Sequence, residues 1–438
     1  MFLTFRVKNF RSIRDVVELD FRRTKPLEFD DRSVDDKWDS SINTVTAIYG
    51  ANASGKTSVL EALGFFLGFI EASQEGKPGA SIDRDPFLLD DHSRMDPTEY
   101  ELEFVMGGVR HQYGFQVSDS AVESEWLFVY NSAKPTVYFD RDSSQAEPYQ
   151  FGRALKGQNQ IISTLTRSNA LFLSCAAQNA HVMLTEIYKY LVDAVSIYTS
   201  SGYEAAHKEL TARLHENTQL RERVLAVLRA SDTGISGISI DVREMNVEER
   251  SRIVESILSS GAAATADEAD GFIDRFLEDE KYQIHFQHQG ADGNYPLKLS
   301  AESTGTRALL SHADAVFRAI DRGGVCVFDE IDTSLHPMLV SELVRIFQSP
   351  ETNPLQAQLI FTTHEDSLLD AGSLGERVLD REQVWVTDKD SEGVTRLTPL
   401  SAFRPRADEN LRRGYRGGRF GGLPQIREQQ ITRSGVGN

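Results

Sequence analysis

The sequence predicts an α/β fold, because short apolar strands alternate with helical segments along much of its 438 residues. An apolar run at Val45–Tyr49 leads through a glycine-rich turn into the helical pattern of Val59–Leu63. Between residues 100 and 139 apolar and polar side chains alternate, which predicts an antiparallel meander with aromatic residues in its core. Residues 181 to about 280 have mostly helical spacing. We therefore expect a mixed central sheet, an antiparallel β-lobe and a helical insertion.

The glycine-rich turn contains the pattern G-x-x-x-x-G-K-T, from Gly50 to Thr57. A strand, such a loop and a helix in succession form the setting of a phosphate-binding loop. Glycines let the backbone wrap around phosphate, and the helix that follows presents its positive end to the anion. Lys56 would reach the β- and γ-phosphates, and Thr57 would hold Mg²⁺. The residues of this loop that we expect to bind ATP are Asn52, Ala53, Ser54, Gly55, Lys56, Thr57 and Ser58.

Two acids follow a second apolar strand, about 270 residues after the loop. Asp329 and Glu330 come directly after Val325–Phe328, and the two motifs together form a Walker A and Walker B pair. Asp329 would hold Mg²⁺, and Glu330 would orient and deprotonate the attacking water. Adjacent acids can divide these tasks because successive side chains leave a strand in different directions. The plainer interpretation is a solvated turn.

With both motifs in place, the chain resembles an ABC-type ATPase head of the SMC/RecF kind. Within that class it is most similar to the AbiL/RloA-like group of abortive-infection ATPases, and the resemblance covers nearly the whole chain. The further segments that carry it are the first strand Phe5–Ser12, the apolar Q-loop strand Leu171–Gln178, the signature motif Ser303–Thr306, the D-loop Ile331–Pro337, the switch histidine His364 and the C-terminal motif Tyr415–Pro424.

The resemblance implies roles for single residues. Gln178 would be a sensor that touches Mg²⁺ or the attacking water, and His364 would hydrogen-bond the γ-phosphate. Ser303 and Gly305 would bind the γ-phosphate across a head-to-head dimer that sandwiches two ATP molecules. The implied catalytic set is Glu330, Lys56, Gln178 and His364, and the implied Mg²⁺ ligands are Thr57, Gln178 and Asp329.

Each of these roles has a plainer alternative. Gln178 could be a surface amide, Ser303 could only cap a helix, and His364 could be a packed or capping histidine. Arg11 and Ser12 could reach the nucleotide or simply form the turn at the end of the first strand. His336 precedes Pro337, and we expect it to be structural.

Composition excludes several classes of protein. The net charge is −19 and the isoelectric point is near 5.0, so sequence-independent DNA binding requires a local basic cluster. Cys175 and Cys326 lie in apolar runs without a C-x-x-C pattern, which indicates reduced core residues in a cytoplasmic protein and no zinc site. No signal-peptide pattern is present. The longest apolar run, Ala62–Ile70, is too short to cross a bilayer, and we expect no membrane partner.

The motifs divide the chain into four segments. We expect an ATPase lobe at 1–180, a helical insertion at 181–280, a second ATPase lobe at 281–403 and a glycine- and arginine-rich tail at 404–438. The insertion is far shorter than an SMC arm, and the chain after His364 is too short for a fused Toprim nuclease. Any nuclease or toxin activity would therefore come from another chain. The tail could be a solvated end, or a docking segment for a partner chain or nucleic acid.

Three functions fit these observations. The first is an ATPase subunit of a bacterial anti-phage defence system, which would form ATP-sandwich dimers or higher oligomers and hold a separate effector such as a nuclease. The second is a RecF-like DNA-repair ATPase that grips duplex DNA. The third is a nucleotide-gated scaffold with very slow hydrolysis. The short insertion, the acidic charge and the C-terminal motif favour the first.

Overall fold

The structure, a computed structural model, describes residues 1–23, 42–198, 203–242, 247–260, 265, 268, 271, 281–370, 377–406 and 409–423. The chain forms two compact units. The first contains Met1–Tyr198, Ala319–Asp332 and Val340–Asn438, and the second contains Thr199–Arg318 and Thr333–Leu339. This division differs from the expected segments, because residues 181–198 belong to the first unit and residues 281–318 belong to the second. Residues 424–438 of the predicted tail lie outside the described residues.

The strands in the described part of the chain are β1 (Phe2–Lys8), β2 (Val17–Asp20), β3 (Val45–Gly50), β4 (Thr98–Met106), β5 (Val109–Val117), β6 (Val122–Tyr130), β7 (Thr136–Asp142), β8 (Tyr149–Phe151), β9 (Val195–Tyr198), β10 (Ile235–Val242), β11 (Tyr282–Gly290), β12 (Gly293–Lys298), β13 (Val325–Phe328), β14 (Gln358–Thr362), β15 (Val384–Lys389) and β16 (Thr395–Pro399).

The described α-helices are α1 (Lys56–Ala72), α2 (Asp91–Met95), α3 (Asn159–Leu165), α4 (Phe172–Gln178), α5 (Val182–Asp193), α6 (Tyr203–Glu216), α7 (Thr218–Ala230), α8 (Val247–Ser259), α9 (Thr304–Arg322), α10 (Pro337–Gln348) and α11 (Leu411–Arg416).

A mixed six-stranded sheet lies at the centre of the first unit, in the order β16-β15-β3-β14-β13-β9. All neighbouring pairs are parallel except β15 and β16, which are antiparallel. Strands β3, β13 and β14 are buried along their whole length, as strands covered on both faces must be, which explains their continuous apolar sequences. Because these three strands are parallel, Gly50 at the end of β3 and Asp329 and Thr363 directly after β13 and β14 lie at one edge of the sheet.

A second, antiparallel sheet of seven strands has the order β2-β1-β4-β5-β6-β7-β8. It confirms the predicted meander, and with the mixed sheet it confirms the predicted α/β fold class. Rings from β4 and β5 pack against helix α1, where Phe66 stacks on Phe115 at 5.3 Å. The aromatic residues of β6 behave differently, because Trp126 and Phe128 are only half-buried while Leu127 on the opposite face is fully buried.

The predicted strand at Leu171–Gln178 is wrong, because residues Phe172–Gln178 form helix α4. The buried carboxylate of Glu125 accepts hydrogen bonds from the backbone N–H groups of Phe172 and Leu173, at 2.6 and 3.0 Å, and so satisfies the first donors of the helix. A short apolar run that is buried all round has no periodicity with which to separate strand from helix. The strand beside β13 is instead β9, where Tyr198 lies opposite Phe328.

The second unit combines helices with a small sheet. Strands β10, β11 and β12 form a three-stranded antiparallel sheet, which confirms the strands predicted at Ile235–Val242 and at Tyr282–His288 with its turn. Helices α6 and α7 bury Leu210, Leu214 and Leu228, as their helical spacing predicted. The described part of the insertion is therefore mostly helical.

None of the helices in the described residues combines the length and the apolar composition that crossing a membrane requires.

Candidate active site

The glycine-rich loop lies between β3 and α1, as the sequence predicted. Two threonines, one on β15 and one on β16, contact this loop through hydrogen bonds. The Ser54 hydroxyl lies 2.6 Å from Thr387 Oγ1, and Thr395 Oγ1 donates to the Ser54 carbonyl at 3.0 Å. Gly55 has φ of +104°, and a side chain there would overlap Thr395, so glycine is required. Ser54 is therefore a buried part of the framework of the loop, and its hydroxyl is engaged by Thr387.

The Lys56 side chain is buried at the centre of this loop, with 5% of the residue exposed. Its ammonium donates to the carbonyls of Gly50 at 3.0 Å and Ala51 at 3.2 Å. Burial lowers the pKa of Lys56, while the carboxylates of Glu330 and Asp329 raise it. A cation held among carbonyls at low solvent exposure fits a site for an anion, because an anion would offset the cost of burying the charge.

Thr57 and Asp329 bring the loop and the acidic strand end together. Thr57 Oγ1 donates to both carboxylate oxygens of Asp329, at 3.2 and 3.0 Å, although the residues are 272 positions apart. A hydroxyl and a carboxylate are oxygen ligands of the kind that Mg²⁺ prefers. The described residues contain no group of three or more His, Cys, Asp or Glu side chains that could hold a metal alone. The pair thus fits Mg²⁺ that takes its remaining ligands from phosphates and water.

Glu330 adopts a backbone conformation that is unusual for a side-chain-bearing residue, with φ of +55°. Its N–H donates to Thr362 Oγ1 at 2.7 Å, which holds the residue in this conformation. Its carboxylate lies 3.9 Å from His364 Nε2, and both side chains are partly exposed. Strained residues of this kind cluster at functional sites, and this one turns an acid towards the open edge.

His364 follows β14 and lies among the charges of the same edge. Burial lowers the pKa of His364, and the Lys56 ammonium lowers it further. The carboxylates of Asp332, Glu330 and Asp329 act in the opposite direction, and the net shift is downward. A neutral imidazole can donate a hydrogen bond through one nitrogen and accept one through the other at pH 7.

Two residues that sequence reasoning did not assign complete the group. Thr362 Oγ1 donates to Asp329 Oδ1 at 2.6 Å while it accepts from Glu330 N–H, so one hydroxyl positions both acids. Asp332 Oδ1 is buried and has no hydrogen-bond partner among the described residues. A polar residue at the carboxyl end of an apolar parallel strand was the available signal for Thr362.

Arg11 does not lie free beside the loop. Its Nε donates to Asp85 at 2.9 Å, and another guanidinium nitrogen is paired with Glu61 on α1. Two carboxylates thus neutralise the charge that would attract a phosphate, which favours the turn interpretation.

Ser58 faces the same region, with its hydroxyl 3.0 Å from that of Ser12. Asn52 and Ala53 are exposed at the tip of the loop.

Gln178 is the exposed last residue of α4. That helix packs against the far end of α1, where Ser174 Oγ donates to the Ile70 carbonyl at 2.5 Å. Ile70 lies about 20 Å along α1 from Lys56 at the rise of an α-helix. Among the described residues, no hydrogen bond joins Gln178 to Lys56 or Asp329, and its sensor role stays a prediction.

Ser303 and Gly305 lie in the second unit, at the start of α9. Ser303 Oγ accepts a hydrogen bond from the Thr306 N–H at 3.1 Å, so Ser303 caps this helix. A side chain on Gly305 would lie 2.7 Å from the Ser334 carbonyl, which explains the glycine. Ser303 is exposed, and its hydroxyl is therefore accessible at a positive helix terminus.

Solved structures match this chain over more than nine tenths of its length. One match is the "SmcHead bound to the C-winged helix domain of ScpA", with 15% identity, 91% of this chain and 96% of that chain covered, and a TM-score of 0.39. Another is an Smc head domain with an extended coiled coil bound to the C-terminal domain of ScpA, from Pyrococcus furiosus, with 13% identity, 92% and 98% covered, and a TM-score of 0.42. The recombination mediator protein RecF-ATPrS in the RecFOR pathway matches with 13% identity, 91% and 98% covered, and a TM-score of 0.37.

A comparison with curated proteins found no match. A protein-family profile described as "AAA domain, putative AbiEii toxin, Type IV TA system" matches residues 45–370, from β3 to just beyond His364. This span exceeds half of the chain and includes Gly50–Thr57, Asp329, Glu330 and His364. The chain therefore belongs to this family of AAA domains, which indicates an ATP-hydrolysing NTPase.

Proposed function

We propose that the chain is a Mg²⁺-dependent ATPase whose hydrolysis centre consists of Lys56, Thr57, Asp329, Glu330 and His364. The observation that carries this proposal is the hydrogen bond between Thr57 and Asp329, which joins the two nucleotide-binding motifs. The residues of the centre come from the ends of three parallel strands, where ligands of open α/β sheets bind.

The chemistry follows from the charges at this edge. Lys56 would neutralise the terminal phosphates of ATP, as its burial in the loop favours an anion there. Mg²⁺, held by the Thr57 hydroxyl and the Asp329 carboxylate, supplies further charge neutralisation when bound. Glu330 would accept the proton of the attacking water. His364, with its lowered pKa, would donate a hydrogen bond to the terminal phosphoryl group as a neutral imidazole.

The second half of the site would come from another copy of the chain. The support is Ser303, an exposed hydroxyl that caps α9 and sits at a positive helix terminus. Its place in the resemblance to ABC heads indicates that it acts across a dimer interface, with Gly305 allowing the close backbone approach to Ser334. The resulting assembly would be an ATP-sandwich dimer, or a higher oligomer built from such dimers.

The biological role that we propose is bacterial anti-phage defence of the abortive-infection type, in the manner of the AbiL/RloA-like group. The family description, a putative toxin of a type IV toxin–antitoxin system, supports a defence setting. The ATPase would hold or control a separate effector, such as a nuclease. Co-purification with the products of adjacent genes tests this role, and a chain that captures none of them under ATP would contradict it.

A RecF-like role in DNA repair depends on free positive charge, for which the arginine-rich tail was the candidate. In the described part of the tail, Arg412 and Arg416 pair with Asp366, and Arg419 pairs with Glu409. Each of these pairs reduces the positive potential that phosphates would meet. The test is salt-dependent binding of duplex DNA by the whole chain and by a variant that lacks residues 404–438. Binding that disappears with this deletion would favour the repair role over the defence role.

The test of the enzymatic proposal is ATP turnover by the purified chain. Glu330→Gln keeps the shape of the side chain and removes the base, so turnover should fall about 10²- to 10⁴-fold while ATP binding remains. The variant should also accumulate as a dimer or larger oligomer with ATP, as measured by light scattering. Wild-type turnover as slow as that of the variant would show that hydrolysis is not the working step and would favour the nucleotide-gated scaffold.

A further inference from the structure

The described end of the tail forms a compact segment, residues 409–423, which we call the C-terminal strap. It contains the short helix α11, whose N-terminus is capped by Asn410 Oδ1 accepting from Arg413 N–H at 2.7 Å. Tyr415 and Phe420 are buried, at 6% and 0% exposure. Fixed caps and buried rings show that this part of the tail is an integral part of the first unit.

One side of the strap holds the segment that follows His364. Asp366 opens a 3-10 turn two residues after the histidine. Arg412 Nε donates to Asp366 Oδ1 at 2.9 Å, and a nitrogen of Arg416 donates to the same oxygen at 3.0 Å. A further nitrogen of Arg412 donates to Asp370 at 3.0 Å, at the end of the turn. Arg412 thus binds both ends of the turn, and Arg416 adds a second contact at its start; we call these contacts the clamp.

Asp366 remains charged in this clamp. Burial raises the pKa of its carboxyl, but the hydrogen bonds from Arg416 and Arg412 lower it more, and the net shift is downward. Only 15% of the Asp366 side chain is exposed to solvent, so its ion pairs are partly shielded from water.

The other side of the strap touches the strand that leads into the phosphate loop. The Tyr415 ring packs edge-on against Tyr49 at 5.5 Å, directly before Gly50. The Gly422 N–H donates to Asp388 Oδ1 at 2.6 Å, and the Tyr415 hydroxyl donates to the Gly422 carbonyl at 3.2 Å. A Cβ on Gly422 would lie 3.3 Å from Gly50 Cα. The strap backbone therefore lies directly against the first residue of the loop.

Tyr49 connects the two sides. Its ring contacts the strap, its hydroxyl donates to the Glu365 carbonyl at 3.0 Å, and the next residue is Gly50. The Gly50 carbonyl is in turn an acceptor for the Lys56 ammonium at 3.0 Å. A displacement of Gly50 would therefore move the group that orients the lysine.

We propose that the C-terminal strap is a positioning element of the nucleotide site, which holds the phosphate loop and the His364 segment in a fixed relation to each other. Gly422 acts on Lys56 through Gly50, and Arg412 and Arg416 act on His364 through Asp366. The proposal rests on the proposed ATPase function of the same site. The alternative is a purely structural role, in which the strap only adds to the folding stability of the first unit.

The first experiment compares two glycines of the strap. Gly422 and Gly418 have φ of +70° and +75°, so replacement by alanine strains both backbones alike. An added Cβ meets Val386 at 2.6 Å and Gly50 Cα at 3.3 Å at position 422, but at position 418 only Leu423 at 3.8 Å. We expect Gly422→Ala to raise the Kd for ATP about tenfold, because relief of its overlap with Val386 and of its tight contact with Gly50 displaces the start of the loop, and Gly418→Ala to change it by less than about twofold.

The second experiment removes the clamp. Arg412→Ala/Arg416→Ala should lower kcat about tenfold and leave the KM for ATP within about twofold, because His364 and not the phosphate loop loses its support. Arg412→Lys/Arg416→Lys keeps the charges and should recover most of the lost kcat. Arg345→Ala, which removes an exposed arginine of α10, is the matched control for a lost surface charge and should not change kcat.

The possible outcomes distinguish failure of the positioning role of the strap from failure of the proposed ATPase function. A wild-type chain that hydrolyses ATP while Gly422→Ala and Gly418→Ala have equal Kd values overturns the positioning role alone. A chain that binds ATP without hydrolysing it, yet shows the expected difference in Kd, supports the strap and contradicts the ATPase. Loss of kcat that tracks a fall in Tm, without recovery in the lysine variant, would show that the clamp is only structural. A chain that binds no ATP overturns both.

Discussion

The phosphate loop and the C-terminal strap are both glycine-rich and basic, yet they use their groups in opposite ways. In the loop, Lys56 is buried, and its hydrogen-bond acceptors among the described residues are the backbone carbonyls of Gly50 and Ala51, so its charge has no carboxylate partner there. In the strap, Arg412 and Arg416 are paired with Asp366. The cation of the loop is thus available to a ligand, whereas these two cations of the strap are neutralised by a carboxylate of the same chain.

Glycine serves different purposes in the two regions as well. Gly55 allows the turn by which the loop enters α1, at φ of +104°. Gly422 allows a protein backbone to lie against Gly50. A glycine- and arginine-rich segment does not by itself indicate nucleic-acid binding, since three of its arginines here pair with carboxylates of the same chain.

The largest expected difference between the two regions is in the effect of removing one cation. Lys56→Met fills the buried volume without the charge, and we expect ATP turnover to fall at least roughly 100-fold. Arg413→Met removes an exposed cation from the strap and should leave turnover within about twofold. Steady-state ATP hydrolysis of both variants measures this, and equal losses would remove the distinction between the regions.

A smaller effect is expected from the hydroxyl that positions the two acids. Thr362→Val is nearly isosteric but leaves Asp329 Oδ1 and the Glu330 N–H without this partner, so kcat should fall about tenfold. The KM for ATP should change little, because the phosphate loop is untouched. Thr398→Val on the edge strand β16 serves as the control for the loss of a threonine hydroxyl. A Thr362→Val enzyme with wild-type kcat would contradict the positioning role.

The smallest expected effect concerns acid stability of the strap. Against the effect of burial, the hydrogen bonds from Arg416 and Arg412 hold the folded-state pKa of Asp366 below its ordinary value of 3.8, so the ion pairs add stability that is fully present above that pH. This contribution is lost as the pH falls through the lowered pKa of Asp366. We therefore expect the Tm difference between wild type and Asp366→Asn to shrink from pH 6 to pH 3. A difference that stays constant over this range would mean that the charge of Asp366 does not contribute.

Much of the fold could be predicted because its signals are local. Strands β3 and β13 are continuous apolar runs, and the loop between β3 and α1 carries its pattern within eight successive positions, Gly50–Thr57. Asp329 and Glu330 follow a strand end directly. Each of these features depends on neighbours in sequence, which is the information that periodicity and turn chemistry use.

The features that were missed depend on partners far away in sequence. Helix α4 is fixed by the Glu125 carboxylate from the antiparallel sheet, and no pattern within Leu171–Gln178 reveals it. The bridging role of Thr362 requires β13 and β14 to be neighbours. The packing of the strap on Gly50 joins residues at opposite ends of the chain. A single sequence holds no local trace of such contacts.

The proposed ATPase centre depends most on the contact between Thr57 and Asp329, and a double-mutant cycle tests this contact directly. Thr57→Ala, Asp329→Asn and the double variant would be compared with wild type by the Mg²⁺ concentration that gives half-maximal ATP turnover. Because the two side chains touch, we predict that each single variant raises this concentration and that the double variant shows less than the sum of the two free-energy changes, with a coupling of at least about 0.5 kcal/mol. Strictly additive changes, or an unchanged Mg²⁺ requirement in either single variant, would contradict the account.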